Sequence, residues 1–154
     1  MSIRRATRAD TAAVWNIRNL AISAQCRGIY PNDLIDRWTS SGPTEQFENA
    51  LAEQVWIAEA SGAIVGFGKI DLDTGIVDAM FVHPDSMRSG IGAKILRHLE
   101  LLAIDRGLPE ITLKSTLNAA PFYRSCGFTG EQVARHQSPT GIELDCIPMY
   151  KKIS

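Results

Sequence analysis

Residues 81–96, FVHPDSMRSGIGAKIL, have the residue types of an anion-binding turn. The segment contains Gly90-Ile91-Gly92 directly before apolar residues at helical spacing. The first backbone N–H groups of a helix have no partner within the helix, and they carry about half a positive charge. Without a Cβ at the two glycines, the oxygens of a phosphate group could approach closely. With Ser89 as the helix N-cap and Arg88 beside it, the segment is suited to binding a diphosphate.

The two glycines alone are weak evidence, because a Gly-x-Gly sequence before a helix often forms only a turn. The sequence contains no G-x-x-x-x-G-K-[ST] loop, and its first strand and helix contain no G-x-G-x-x-G loop. A phosphate site at Gly90 would therefore belong to neither of these two classes.

Sequence patterns place this turn within a series of strands and helices. Apolar, β-branched runs predict strands, and apolar residues at a period of 3.6 predict helices. The predicted strands are residues 2–6, 54–60, 63–70, 76–82, 110–114, 133–136 and 143–150, with a turn at Pro139-Thr140-Gly141 between the last two. Helices are predicted after Asp10, at residues 34–38, 44–52 and 118–125, and from Ile91 to a C-cap at Gly107.

These elements predict a single domain over residues 1–154 with the order β-α-α-β-β-β-α-β-α-β-β. Such an order is typical of an α/β fold, here an α+β mixed sheet with helices on both faces. The strand-helix-strand unit over residues 76–114 should be a right-handed crossover that joins two parallel strands.

Composition and charge exclude several classes of protein. A net charge of −1 gives no general attraction to nucleic acid, and no apolar run approaches the ~18 residues of a membrane span. The three cysteines lie far apart and share no metal-ligand spacing with the histidines, so we expect neither a disulfide framework nor a metal site. This cysteine usage suits a reducing cytosol, and we expect a cytoplasmic protein.

Four segments together resemble the GCN5-related N-acetyltransferase (GNAT) superfamily. FVHPDSMRSGIGAKIL resembles its acetyl-CoA motif, with the difference that Met87 stands where family members carry glutamine or arginine. The other three segments follow in the family's order: VWIAEASGAIVGF (55–67) is similar to its second and third strands, NAAPFYRSCGF (118–128) to its helix near the thiol, and IPMYKKI (147–153) to its closing strand. Since the turn is expected to bind mainly through backbone N–H groups, Met87 should retain binding with some loss of affinity.

The resemblance implies an N-acetyltransferase that moves an acetyl group from acetyl-CoA to a primary amine by direct attack, without a metal. The sheet would be splayed between the fourth and fifth strands, and a backbone N–H near Phe81 or Val82 would bind the thioester oxygen. The implied coenzyme A site consists of Phe81, Val82, Met87, Arg88, Ser89, Gly90, Ile91, Gly92, Ala93, Asn118 and Tyr123.

Within this resemblance Tyr123 occupies the position of the general acid that protonates the coenzyme A thiolate. A phenol with a pKa near ~10 carries its proton at neutral pH and can donate it. The alternative is that Tyr123 and Phe122 only pack a short helix. Asn118 would contact coenzyme A near the thiol, cap the last short helix, or do both.

The general base and the acceptor site are open at this stage. Asp78 shares its strand with the expected oxygen donor and could accept the amine proton directly or through water. Alternatively, Asp78 is only a solvated residue at the start of the strand. His136, which titrates near neutral pH, is a rival base and an acceptor-site residue. Tyr30 is predicted to line the acceptor site together with Asp78 and His136, or else to belong to the core.

Other functions remain possible from the sequence. A non-catalytic module that binds or senses acyl-CoA is the main alternative, and a scaffold within a larger complex is another. The predicted acceptor is a small-molecule or peptide amine, with neither nucleic acid nor membrane as a partner, and a homodimer through the last strands is compatible with the sequence.

Overall fold

The computed structural model describes residues 1–138 and 141–154, so Pro139 and Thr140 of the predicted turn lie outside the described residues. The described residues contain seven strands in one sheet, in the spatial order β1-β2-β3-β4-β5-β7-β6. The β4–β5 pair is parallel, and the other five pairs are antiparallel. The strands are β1 (Ser2–Arg5), β2 (Val55–Ala60), β3 (Ala63–Asp71), β4 (Ile76–Val82), β5 (Glu110–Ser115), β6 (Ala134–Gln137) and β7 (Glu143–Lys152). The predicted mixed α/β fold is confirmed.

The helices in the described residues are α1 (Thr11–Cys26), α2 (Asn32–Trp38), α3 (Glu45–Gln54), α4 (Ile91–Asp105) and α5 (Ala120–Ser125). Three of them, α1 to α3, lie between β1 and β2, where the predicted order contains two. The extra helix arises because the predicted stripe at residues 34–38 and the predicted helix at residues 44–52 form separate helices. None of the described helices is long and apolar enough to cross a lipid bilayer.

Side chains of β3 show how helices cover both faces of the sheet. Phe67 packs in a buried cluster with Val14 of α1. One residue further along the strand, a Cβ on Gly68 would lie 2.8 Å from both Ile95 and Leu99 of α4. Because successive residues of a strand point to opposite faces, α1 and α4 cover opposite faces of the sheet.

The parallel pair β4–β5 opens after two residues. Ile76 pairs with Thr112 and Val77 pairs with Leu113, and the pairing extends no further along the two strands. The remainder of β4, as far as Val82, therefore has a free edge on the side of β5. This confirms the predicted splay between the fourth and fifth strands.

Gly75 precedes β4 and fixes where β4 begins beside β5. Its φ is +78°, and a Cβ there would lie 2.7 Å from the carbonyl oxygen of Glu110. We expect Gly75→Ala to lower the free energy of unfolding by about 2–4 kcal/mol, because the left-handed backbone and the clash with main chain both oppose a side chain. Urea denaturation measures this change. Gly42→Ala is the control, since its Cβ would meet nothing within 4 Å and its backbone is not left-handed; a change of similar size in both variants would contradict the explanation.

Candidate functional site

The turn before α4 presents a row of free backbone donors. Gly90 is the N-cap with a φ of +83°, and Arg88 is also left-handed with a φ of +64°. The N–H of Lys94 donates to the Gly90 carbonyl at 3.2 Å, whereas the N–H groups of residues 88–93 donate to no acceptor among the described residues. Left-handed residues at a helix start can bring free N–H groups together in a concave cluster that suits an anion.

Two residues of this turn differ from their predicted roles. Ser89 is not the N-cap, since Gly90 occupies that position and the Ser89 hydroxyl donates instead to the Ser86 carbonyl. The N–H of Met87 is not free but donates to the Pro84 carbonyl at 3.4 Å, and its sulfur accepts from the Gln25 amide at 2.9 Å. Met87 thus connects the turn to α1 through its side chain.

The structure requires glycine at Gly90 and at Gly92 for different reasons. A Cβ on Gly90 would meet nothing within 4 Å, so its left-handed φ is what requires glycine. A Cβ on Gly92 would lie 3.3 Å from the Phe122 ring. The structure thus gives Gly92 a packing reason, since it allows α4 to approach Phe122 closely, while its role at a phosphate stays a prediction.

A crevice of about 310 Å³ opens where β4 and β5 diverge. Residues of α1, α2, α3, β3, β4, β5, α5, β6 and β7 line it. Four of the predicted site residues share this crevice, namely Asp78 and Phe81 of β4, Tyr123 of α5 and His136 of β6. Such a volume is at the lower end of the range for small-molecule sites.

Tyr123 both packs in the core and lines the crevice. Its ring lies edge-on to Phe122 and Phe128, with centroids 5.3 and 5.8 Å away, and only 7% of the residue is exposed. Burial raises the pKa of Tyr123 well above its usual value, with a smaller contribution from Cys126. Its hydroxyl has no hydrogen-bond partner among the described residues, so it is a protonated donor available to a ligand at neutral pH.

Asp78 lies at a bulge of β4. Lys69 pairs with Ala79 and Ile70 pairs with Val77, which leaves Asp78 as the extra residue. Its carboxylate binds the ammonium group of Lys69 at 2.5 Å, and the Lys69 side chain is only 12% exposed. Accepting a proton would weaken this ion pair, so the structure gives Asp78 a partner that the sequence did not indicate.

His136 lies on β6 with its Nδ1 3.4 Å from the ammonium nitrogen of Lys114. Burial lowers the pKa of His136, and the positive charge of Lys114 lowers it further. The imidazole is therefore neutral at neutral pH and can accept a proton. Because the unfolded chain binds this proton more readily, the stability from the neutral ring is complete above about pH 6.5 and is lost as the pH falls toward the lowered pKa.

Lys114→Met should raise the pKa of His136 part of the way toward its usual value, because it removes the smaller of the two causes and leaves burial in place. An NMR titration of the imidazole ring protons measures the shift. Lys152→Met, which removes the same charge from the far end of β7, is the control and should leave the titration unchanged. A lower His136 pKa in Lys114→Met would contradict this reading.

Tyr30 and Asn118 do not line the crevice. The Tyr30 hydroxyl donates to the Asp145 carbonyl at 2.5 Å and accepts from the Leu117 N–H at 3.0 Å, so the predicted substrate contact of Tyr30 is corrected to a buried structural role. Asn118 does not cap α5, whose N-cap is Ala119. Its side-chain oxygen instead accepts a weak hydrogen bond from the Cys26 thiol at 3.6 Å.

The free edge of β4 favours Val82 over Phe81 as an oxygen-binding donor. The N–H of His83 donates to the Val65 carbonyl of β3 at 2.8 Å. Successive N–H groups of a strand point to opposite edges, so the Phe81 N–H also points to β3 and the Val82 N–H points to the free edge. Phe81 contributes its side chain to the crevice instead.

Arg18 and Lys69 are crevice residues that the sequence analysis missed. Arg18 lies on α1, and the sequence pattern of this helix could have revealed it. It follows Trp15 by three residues and precedes Ile22 by four, so a cation occupies the buried stripe of the helix. Among the described residues, no group of three or more His, Cys, Asp or Glu side chains could hold a metal ion.

Comparisons with known proteins identify the family of this chain. A family model described as an acetyltransferase (GNAT) domain matches residues 24–153. An uncharacterized N-acetyltransferase of Escherichia coli is 27% identical over 99 residues, which span 64% of this chain and 61% of that protein. The chain thus matches less than two thirds of this relative's length.

Two solved structures share the fold over almost the whole chain. The crystal structure of a GCN5-related N-acetyltransferase from Rhodopseudomonas palustris has a TM-score of 0.89 and 27% identity, covering 98% of this chain and 94% of that chain. An N-acetyltransferase from Thermoplasma acidophilum, solved in complex with coenzyme A, has a TM-score of 0.77 and 20% identity, covering 98% of both chains.

Proposed function

Because this chain belongs to the GNAT acetyltransferase family, we propose that it moves an acetyl group from acetyl-CoA to a primary amine. The observation that carries the proposal is the combination of free N–H groups before α4 with Tyr123 in the adjoining crevice. The first feature binds an anion, and the second supplies a proton. A ligand that is a diphosphate at one end and a thioester at the other needs both.

Coenzyme A fits the residues that are present. Its diphosphate would accept hydrogen bonds from the N–H groups of residues 88–93, and the exposed Arg88 adds a positive charge. The free edge of β4 would bind the pantetheine amides as a neighbouring strand does. The Val82 N–H would then bind the thioester oxygen and stabilise the charge that develops there. Asn118, whose side-chain oxygen accepts from the Cys26 thiol, would contact coenzyme A near the thiol.

The reaction makes a C–N bond and breaks a C–S bond. A neutral amine attacks the thioester carbon, and the departing sulfur takes the proton of the Tyr123 hydroxyl. The new ammonium group loses a proton to a base. Solvent then exchanges protons between that base and the Tyr123 phenolate, so the enzyme returns to its starting state.

We assign the base to His136, with Asp78 as the alternative. An amine with a pKa near ~10.4 is mostly protonated at pH 7, so the base must first take one proton from the ammonium group and release it to solvent before the neutral amine attacks. His136 is neutral and lines the crevice, whereas the carboxylate of Asp78 is held by Lys69. His136→Gln should then remove the acidic limb from the pH profile of kcat/KM, which Asp78→Asn would leave in place.

Free-thiol detection with acetyl-CoA and a panel of amines tests the proposed function. We expect thiol release that depends on one class of amine. Mass spectrometry should then detect the acetylated form of that amine. A non-catalytic acyl-CoA-binding module would show a thermal shift with acetyl-CoA and no amine-dependent thiol release. That outcome would contradict the proposed enzyme activity and support the binding module.

A further inference from the structure

The charged residues that line the crevice are mostly cationic. They are Arg18, Lys69, Lys114 and Asp78. Asp78 is bound to Lys69 at 2.5 Å, so their charges largely cancel. Arg18 and Lys114 have no carboxylate within ion-pair distance among the described residues. The described wall of the crevice therefore carries an excess of positive charge.

Arg18 is the most deeply buried of these cations. Only 8% of the residue is exposed, and its guanidinium carbon lies 4.1 Å from the centroid of the Trp15 ring. One nitrogen, Nη1, donates to the Asn19 side chain at 2.7 Å and to the Trp38 carbonyl at 3.3 Å. These partners are neutral, so they hold the guanidinium in place without balancing its charge.

The other two nitrogens of Arg18 are free and accessible. Nε and Nη2 have no acceptor among the described residues. Neither nitrogen is fully enclosed by protein. Among the described residues, the polar side-chain atoms that are both fully enclosed and unpartnered are Trp56 Nε1 and His98 Nε2. Burial lowers the pKa of Arg18 to about 10, which still leaves it charged at pH 7. A fixed, buried cation in the crevice wall thus retains two unpartnered donors that are not fully enclosed.

A buried cation without a counter-ion is costly, and a guanidinium matches the two oxygens of a carboxylate. We propose that the acceptor is a primary amine that also carries an oxyanion, in the first place a carboxylate, and that Arg18 binds this group. The inference rests on the proposed function, because it names the substrate class of the same site. Polyamines and aminoglycosides, which carry several positive charges, would be repelled by Arg18 and Lys114.

Matched pairs of amines test the inference. Each pair differs only in the anion: phenylalanine and phenethylamine, lysine and cadaverine, and phosphoethanolamine and ethanolamine, the last pair separating a phosphate from a carboxylate. For at least one pair we expect kcat/KM by thiol release to be more than about 10-fold higher for the anionic member. A higher kcat/KM for the members without the anion in every pair would overturn the inference while leaving the acetyltransferase in place.

Arg18→Gln identifies the group responsible. It should lower kcat/KM for the anionic amine by about 10- to 100-fold and change that for its partner much less, because only the anionic amine loses charged hydrogen bonds. Arg37→Gln, at an exposed residue of α2 outside the crevice, is the matched control. Arg18→Lys keeps the charge and should retain part of the preference if Arg18→Gln does not fold. An unchanged preference in either folded Arg18 variant contradicts the assignment.

Calorimetry separates a failure of this inference from a failure of the proposed function. Binding of the anionic amine to the coenzyme A-loaded protein, and its loss in Arg18→Gln, would support the anion site even if no amine released thiol. Equal binding to wild type and Arg18→Gln would overturn the site even if acetyl transfer occurred.

Discussion

Tyr123→Phe is expected to lower kcat by about 10- to 1,000-fold and to leave the affinity for coenzyme A nearly unchanged. The variant removes one oxygen atom and keeps the ring that packs against Phe122 and Phe128. Since the hydroxyl has no partner in the described part of the chain, its loss leaves no polar group unpaired. The effect on turnover should therefore report the chemistry and not the packing.

The pH dependence gives a second test of Tyr123. Because burial raises its pKa well above the usual value, the acid stays protonated throughout the neutral and mildly alkaline range. We expect no loss of kcat from Tyr123 as the pH rises through that range. Tyr150→Phe is the matched control, since Tyr150 is 43% exposed and lies outside the crevice. Equal turnover in wild type and Tyr123→Phe would remove Tyr123 from the mechanism.

Gly90→Val is expected to weaken coenzyme A binding by about 10-fold or more. A β-branched residue opposes the φ of +83° that Gly90 adopts as the N-cap of α4. The turn would then leave the conformation that points the N–H groups of residues 88–93 in one direction. Isothermal titration of coenzyme A measures the loss.

Gly107→Val is the control for this effect. Gly107 follows the other end of α4, has a φ of +81°, and a Cβ there would also meet nothing within 4 Å. Both variants suffer the same backbone strain on the same helix, so both should lower the free energy of unfolding. Only Gly90→Val should lower the affinity; a matching loss in Gly107→Val would mean that general destabilisation explains both.

Local patterns were sufficient to predict the seven strands in their order, although the predicted order contains two helices, not three, between β1 and β2. The β-branched run of β4, the turn and the helical repeat of α4 are signals within one short segment, and they place the turn before α4 correctly. The splay of the sheet followed from the family resemblance, because the separation of β4 from β5 depends on strands that are distant in sequence.

Three assignments depend on a partner that is far away in the sequence or in another strand. The Tyr30 hydroxyl binds the carbonyl of Asp145, and this contact makes it structural. Gly92 faces Phe122 of α5, and no local pattern shows that approach. Whether Asp78 is free or bound to Lys69 depends on the bulge in β4. Arg18 was the exception, since a cation within an apolar stripe is a signal that the sequence itself contains.

A crystal structure of this chain with acetyl-CoA tests the central claim most directly. We expect diphosphate oxygens within hydrogen-bond distance of the N–H groups of residues 88–93, and a thioester sulfur within hydrogen-bond reach of the Tyr123 hydroxyl. Ordered acetyl-CoA whose diphosphate lies away from the start of α4, or whose sulfur lies outside the crevice, would contradict it.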